Sequence, residues 1–284
     1  MPVLRRVAVN GTELNVAIDG SGPAVLLLHG FPPHTWELWT DIMAGLSDRY
    51  RVIAPDLRGF GASGPATSGY DAANLAEDAA ALLTELGESA ASVVGIDAGG
   101  RRRPSSSPSV TPTRPAPRRH GIRTGRAARR RGLPGRRPPW WFGFHAAEPR
   151  LAETVLEGHE AAYIDWFLRT GTLGDGVPSA IRDAFVRAYT ATGALSRAFS
   201  YYRALPDSAL QIAQAITTTR LTVPTMAVGA QPVGTALERQ LRSVTDELTG
   251  HVIEDCGHII PLHRPHALLE LLNPFLAGER TSTS

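Results

Sequence analysis

The chain has no lysine; all 29 of its basic side chains other than histidine are arginine. Its single cysteine, Cys256, excludes an intrachain disulfide and fits a reducing compartment. No run of about 18 apolar residues occurs, and the opening Met1-Pro2-Val3-Leu4-Arg5-Arg6 leads into polar, strand-like sequence with no apolar leader core. Neither export nor a membrane span is expected, and the cytoplasm is the expected location. Acid is absent from one stretch altogether: Arg101 to Pro139 holds thirteen Arg and no Asp or Glu. The remainder carries sixteen Arg against twenty-seven acids, a balance of −11, so the net charge of +2 belongs to one segment. Arginine without lysine, beside abundant Ala, Gly and Pro, points to GC-rich coding DNA.

What is present suffices for one large α/β domain with an insertion, or two small ones: 284 residues, 43% of them hydrophobic. Val7, Val9, Leu14, Val16 and Ile18 alternate around Asn10-Gly11, the pattern of a β-hairpin over Arg5 to Gly20. Ala24 to Leu28 and Arg51 to Ala54 are short apolar runs of buried strands. The first opens into His29-Gly30-Phe31-Pro32, the second into Pro55-Asp56-Leu57-Arg58-Gly59-Phe60-Gly61-Ala62-Ser63. Trp36 to Leu46 and Asp71 to Leu86 have helical spacing, with Gly87 as a stop for the second. Further on, Leu151 to Arg169, Ser179 to Tyr189 and Ala194 to Ala204 read as amphipathic helices. Val223 to Val228 and His251 to Ile253 read as strands, Gly234 to Val244 and Pro265 to Leu276 as helices. Strands alternating with helices imply a mostly parallel sheet covered on both faces.

The candidate chemistry centres on Val93-Val94-Gly95-Ile96-Asp97-Ala98-Gly99. A β-branched run ends in G-x-nucleophile-x-G, with an acid where serine is commoner. Such a strand-to-helix turn is tight enough to demand small residues two positions either side of the nucleophile. Asp97 would stand exposed at the carboxyl end of the sheet. A carboxylate suits that role because it is ionised at neutral pH without a base. Gly59-Phe60-Gly61-Ala62-Ser63-Gly64 matches G-x-G-x-x-G, but Pro65 to Gly69 is a loop where a dinucleotide site needs a helix, so no nicotinamide cofactor is expected.

Taken in order, the His29 loop, the Asp56 loop, the Asp97 elbow and Cys256-Gly257-His258 after the last strand resemble the α/β-hydrolase fold family. The resemblance is nearest to its epoxide hydrolase-like branch with a helical cap; Trp140-Trp141-Phe142, Tyr201-Tyr202-Arg203-Ala204-Leu205 and Val223-Pro224-Thr225-Met226 are similar to that group. The resemblance implies residues 1–100 as the first part of the hydrolase core, 138–220 as the cap and 221–284 as the last part of the core. It also implies a two-step reaction without cofactor or metal. Asp97 attacks an epoxide carbon and forms an alkyl-enzyme ester, while Tyr202 donates to the leaving oxygen. His258 activates water against the ester, and the backbone N–H groups of Phe31 and Ala98 hold the oxyanion. The family places a second donor, His or Tyr, where this chain has Trp141, whose indole N–H donates but cannot act as an acid. His145, four residues on, is expected as a partly buried side chain in an aromatic cluster. His159, His251, His263 and His266 are expected at the surface or in packing. The substrate implied is a small apolar epoxide, and a homodimer is compatible with the reading.

Residues 101–137 do not match the family. They are Arg, Pro, Ser and Thr without period, a composition expected to be disordered. The helix after the elbow and a central strand, ending in the acid that orients the histidine, should fall there and read as disrupted or missing. The segment reads as a shifted frame, with the family pattern returning at Pro138. The loop after Met226 to Gly229 offers Ala230-Gln231-Pro232-Val233, again without an acid, so impaired or absent turnover is expected. Two alternatives stand beside the epoxide hydrolase. One is a dehalogenase of the same fold, disfavoured by Ala98 and Phe142 where that branch carries a substrate-binding Arg and a halide-binding Trp. The other is nonspecific binding of nucleic acid or another anion by the Arg-rich segment; no aromatic residues interleave the arginines, so specific recognition is not expected.

Overall fold

The computed structural model describes residues 1–31, 35–96, 139–147, 150–218 and 220–279. Its strands are β1 (Val3–Val9), β2 (Thr12–Asp19), β3 (Ala24–Leu28), β4 (Arg51–Pro55), β5 (Ala91–Gly95), β6 (Thr225–Gly229) and β7 (Leu248–Val252). The first five form a sheet in the order β1-β2-β4-β3-β5, and β6 pairs with β7. β1, β2 and β4 are joined antiparallel, while β4-β3, β3-β5 and β6-β7 are parallel. The hairpin turns at Asn10-Gly11 with φ of 39° and 74°, the left-handed pair that a two-residue connection requires.

The apolar run of β3 divides between two faces. Val25 and Leu27 join Trp39, Ile42 and Val94 in the larger core cluster; Ala24 and Leu26 join Val9, Leu14, Val16 and Ile53 on the other side. That division explains why β3 shows no polar alternation: it is covered on both faces. A 3-10 turn (Trp36–Trp39) and α1 (Thr40–Leu46) cover the first face. The second face is covered by α2 (Ala72–Glu85), which buries Ala79, Leu82 and Leu83. Asp71 caps α2 by accepting from the backbone N–H groups of Ala73 and Asn74, and Gly87 ends it at φ 77°.

The segment expected as the cap, 138–220, begins with α3 (Trp140–Ala146), α4 (Leu151–Leu156), α5 (Glu160–Gly171), α6 (Ser179–Thr190) and α7 (Ala194–Arg203). The single helix expected over Leu151 to Arg169 is two. Glu157 leaves helical geometry and Gly158 adopts φ 79°, a left-handed stop that the apolar spacing on either side conceals. After α7 the chain enters α8 (Leu205–Thr218), which packs on α2. Its Gln211 reaches Asp71 at 2.7 Å, and Ser208 accepts from the Ala72 N–H at 3.1 Å. The last elements are α9 (Ala236–Leu241), α10 (Ile260–His263) and α11 (Pro265–Ala277). Among the described residues, β5 pairs only with β3, and no helix is long and apolar enough to cross a membrane. The expectations for the helix after the elbow, the central strand and the 101–137 segment lie outside the described residues.

Candidate active site

The site is assembled where β3, β5 and β7 end. Gly95 closes β5, and the following Ile96 is buried with its N–H on the Leu28 carbonyl at 3.1 Å. The chain is therefore fixed to the end of β3 up to the residue preceding Asp97; Asp97 and Ala98 themselves lie outside the described residues. His29 is wholly buried. The Leu57 N–H donates to its Nε2 at 2.8 Å, so its proton sits on Nδ1, facing the Gly30 carbonyl at 3.1 Å. Burial pushes its pKa down to about 3, and this neutral ring is a strut between two loops rather than a base.

The Asp56 loop is held by the same principle of buried groups with assigned partners. Asp56 accepts from Asn15 Nδ2 at 2.9 Å, the Trp36 N–H at 2.7 Å and the Ala62 N–H at 2.9 Å. Desolvation nevertheless pushes its carboxyl up to about 6. Gly61, at φ 50°, lies so close to this carboxylate that a Cβ would collide with it. Two residues on from Asp56, Arg58 forms a buried bidentate pair with Asp78 of α2, its Nε donating to Oδ2 at 2.6 Å. The cap docks on the carbonyls this arrangement presents. Tyr201 donates to Arg58 O at 3.1 Å, Arg197 to Gly59 O at 2.9 Å, and the Tyr201 ring stacks on Phe60 with centroids 4.6 Å apart.

That docking brings Tyr202 over the loop that follows β3. Tyr202 is buried, with its ring 4.9 Å from Phe31, 4.3 Å from His145 and 5.3 Å from Phe142. Phe31, Ile96, Tyr202 and Ile259 belong to one buried cluster. Phe31, the expected oxyanion-loop residue, and Tyr202, the expected cap donor, are therefore in ring contact. Trp141 stands elsewhere in the aromatic layer. Its indole packs on Phe167 at 5.4 Å and Trp166 at 5.8 Å, while Phe142 takes the place against Tyr202.

His145 is fully rather than partly buried. It stacks on Phe199 at 4.4 Å, and its Nε2 meets the Tyr163 hydroxyl at 2.6 Å. Burial, reinforced by the nearby Arg203 charge, lowers its pKa to about 3. Arg203 is itself held by Glu153 through bonds of 2.8 and 3.0 Å.

His258 is half-buried in the loop after β7. Its neighbours are clamped on both sides. The Ile259 N–H donates to Gly171 O at 2.9 Å, and Gly257 packs so tightly on that same carbonyl that a Cβ would collide. The Gly257 N–H donates to His263 Nδ1 at 2.8 Å, and His263 Nε2 bonds Asp175 at 2.9 Å. The Asp175 carboxyl is held below its usual range by the bonds from His263 and Arg264. α10 packs against the 3-10 turn at Trp36–Trp39, joining the histidine loop to the loop after β3. Cys256 is buried, and desolvation pushes its thiol up to about 11. Sequence reasoning missed the part played by His263. Its spacing from His258 carries no motif, and only the backward turn through α10 brings the two together.

With parallel pairs β4-β3, β3-β5 and β6-β7, the expected nucleophile after β5 and the expected histidine after β7, this chain belongs to the alpha/beta hydrolase family, whose model matches residues 25–271. Within that family it is similar to the soluble epoxide hydrolase of Corynebacterium sp. (strain C12), 26% identical over 286 residues covering 96% of each chain. It is also similar to a fluoroacetate dehalogenase of Burkholderia sp, 39% identical over 102 residues, 34% of this chain and 33% of that one. The fold superposes on the solved epoxide hydrolase CorEH with a TM-score of 0.82 at 23% identity, covering 99% of this chain and 100% of that one.

Proposed function

We propose that this chain opens a small apolar epoxide to a diol through an ester on Asp97. The observation that carries the reading is Tyr202, a buried cap hydroxyl whose ring stands 4.9 Å from Phe31 in the cluster that also holds Ile96 and Ile259. The Asp97 carboxylate attacks the less hindered epoxide carbon, forming a C–O ester bond as the ring C–O bond breaks. Tyr202 gives the departing oxygen its proton. Water, giving a proton to His258, then adds to the ester carbonyl while the N–H groups of Phe31 and Ala98 hold the oxyanion; collapse breaks the ester C–O bond, the imidazolium protonates the departing alkoxide to release the diol, and the acid formed on Asp97 returns a proton to the Tyr202 oxygen and becomes the carboxylate again. The full-length similarity to a soluble epoxide hydrolase supports the same reading. Trp141, packed between cap helices, shapes the apolar wall behind Phe142.

The second step is the slow one. The loop after β6 carries Ala230-Gln231-Pro232-Val233 and no carboxylate, and Glu254 and Asp255 are exposed in the turn before Cys256. Intact-mass analysis after incubation with styrene oxide tests the mechanism. An adduct of one epoxide mass on the peptide containing Asp97 is expected, and diol release at ordinary enzyme rates would refute the slow second step. A protein that gains no adduct and makes no diol refutes the mechanism itself. The dehalogenase is the second reading, favoured by the match over about a third of the chain to a fluoroacetate dehalogenase. Ala98 and Phe142 weigh against it, and halide release from fluoroacetate decides it.

A further inference from the structure

We infer that His263 is a positioning residue for His258, acting through the backbone of Gly257 and set in its working tautomer by Asp175 of the cap. An amide N–H can only donate, so the 2.8 Å contact from Gly257 makes His263 Nδ1 an acceptor. The ring proton therefore sits on Nε2, where it donates to Asp175 at 2.9 Å. His263 is buried at 7% exposure and sits five residues beyond the histidine it serves. Asp175 lies in the segment between α5 and α6, so its anchor comes from the cap and not from the core.

The result is a three-sided grip on the tripeptide Gly257-His258-Ile259. Gly257 is tied by its N–H to His263 and pressed by its Cα on Gly171 O; Ile259 is tied by its N–H to that same carbonyl. His258 lies between the two fixed residues, with little backbone freedom left to it. Gly171 ends α5 and Asp175 follows four residues later, so both cap contacts come from one turn. Loss of the His263 acceptor leaves a buried N–H unsatisfied and frees the Gly257 end of this tripeptide to rotate, with an effect of about ten- to a hundredfold on the step that His258 performs.

The kinetic consequence rests on the ester mechanism proposed above; the structural one does not. Asn places Oδ1 where His has Nδ1, whereas Gln places its Nε2 where His has Nε2. His263→Asn therefore keeps the acceptor for Gly257, and His263→Gln loses it while keeping the donor to Asp175. Two readouts are taken on the full chain: amide exchange at Gly257, and decay of the isolated Asp97 ester separately from its formation.

With His263→Gln, Gly257 exchange is expected to rise about tenfold or more and ester decay to slow by about the same factor, with ester formation unchanged. His263→Asn is expected to match the wild type in both. Asp175→Ala is expected to slow decay in the native background, where the tautomer is released, and to have no effect in the His263→Asn background. Equal slowing of formation and decay in His263→Gln, or unchanged Gly257 exchange, would overturn the inference. If the wild type forms no ester, the proposed function fails, and amide exchange alone still decides the positioning role.

Discussion

Asp78→Ala is the substitution whose consequence the structure specifies most fully. The Arg58 and Asp78 side chains are 7% and 2% exposed, and Asp78 accepts from Arg58 Nε at 2.6 Å, from Nη2, and from Asn10 Nδ2 at 2.9 Å. Truncation leaves a buried guanidinium whose remaining partners are the carbonyls of Ser68 at 3.2 Å and Asn10 at 3.3 Å. Those dipoles do not neutralise it. Removing one member of a buried pair costs about 3–5 kcal/mol, because the surviving charge stays desolvated. Against a total stability of roughly 5–15 kcal/mol that is a large fraction, and it lowers the melting temperature by about 10 °C. The same change slackens the loop on which Tyr201 and Arg197 dock, so the cap loses its seat and activity falls with stability. Urea denaturation followed by tryptophan fluorescence measures the first effect. The double variant Arg58→Met with Asp78→Leu, which removes both charges and keeps the volume, is expected to recover most of the loss. A cost below about 1 kcal/mol for Asp78→Ala, or a double variant no better than the single one, would refute the reasoning.

Four further outcomes are expected. Tyr202→Phe removes the proton donor and slows ester formation by about a hundredfold or more, read from the rate of adduct appearance, while ester decay is unchanged. Gly257→Ala drives a Cβ into Gly171 O and slows ester decay without slowing formation, which single-turnover kinetics separates. Asp56 gives a pH signature. Its folded pKa of about 6 lies above the ordinary 3.8, so the native state holds a proton there that the unfolded chain has lost. Its contribution to stability is complete below about pH 4 and falls by about 3 kcal/mol as pH rises through 6. Asp56→Asn removes that slope, and unfolding free energies compared at pH 4 and pH 7 check it. Resequencing the coding DNA across residues 101–137 is expected to yield, in a neighbouring frame, an apolar helix followed by a β-branched strand ending in an acid.

Much of the fold was legible because its signals are local. The period-two pattern around Asn10-Gly11 defines a hairpin, and the short runs Ala24 to Leu28 and Val52 to Ala54, bounded by turn residues, read as strands covered on both sides. Glycines at left-handed positions end what precedes them. The same kind of signal misled at Leu151 to Arg169, where apolar spacing runs on through Gly158 although the backbone does not. The expected nucleophile and histidine were proposed for a different reason: the chemistry demands particular residue types at strand ends, and the chain order of the two is itself a pattern.

The proposed cap donor belongs partly to each. Tyr202 stands out in Tyr201-Tyr202-Arg203, but which tyrosine faces the site depends on the helix phase and on where the helix docks. Tyr201 is turned to Arg58 O, and that contact directs Tyr202 to Phe31. In the same way Trp141 and Phe142 are adjacent in sequence yet stand on different partners, because a helix turns about 100° per residue. His145 and His263 look alike as isolated histidines. One is stacked in an aromatic core, and the other holds the backbone beside the expected base.

Sequence by itself determined the class of fold, since strand and helix signals depend on residue types and spacings along the chain; the order of nucleophile and base and the break in the family pattern stand as expectations read from the same spacings. Only the tertiary structure decided which buried polar groups are paired, which ring of the aromatic cap meets Tyr202, and that a cap carboxylate and His263 hold the loop of His258. Those are contacts between residues distant in the chain, and side-chain direction, helix phase and burial settle them after the backbone has closed.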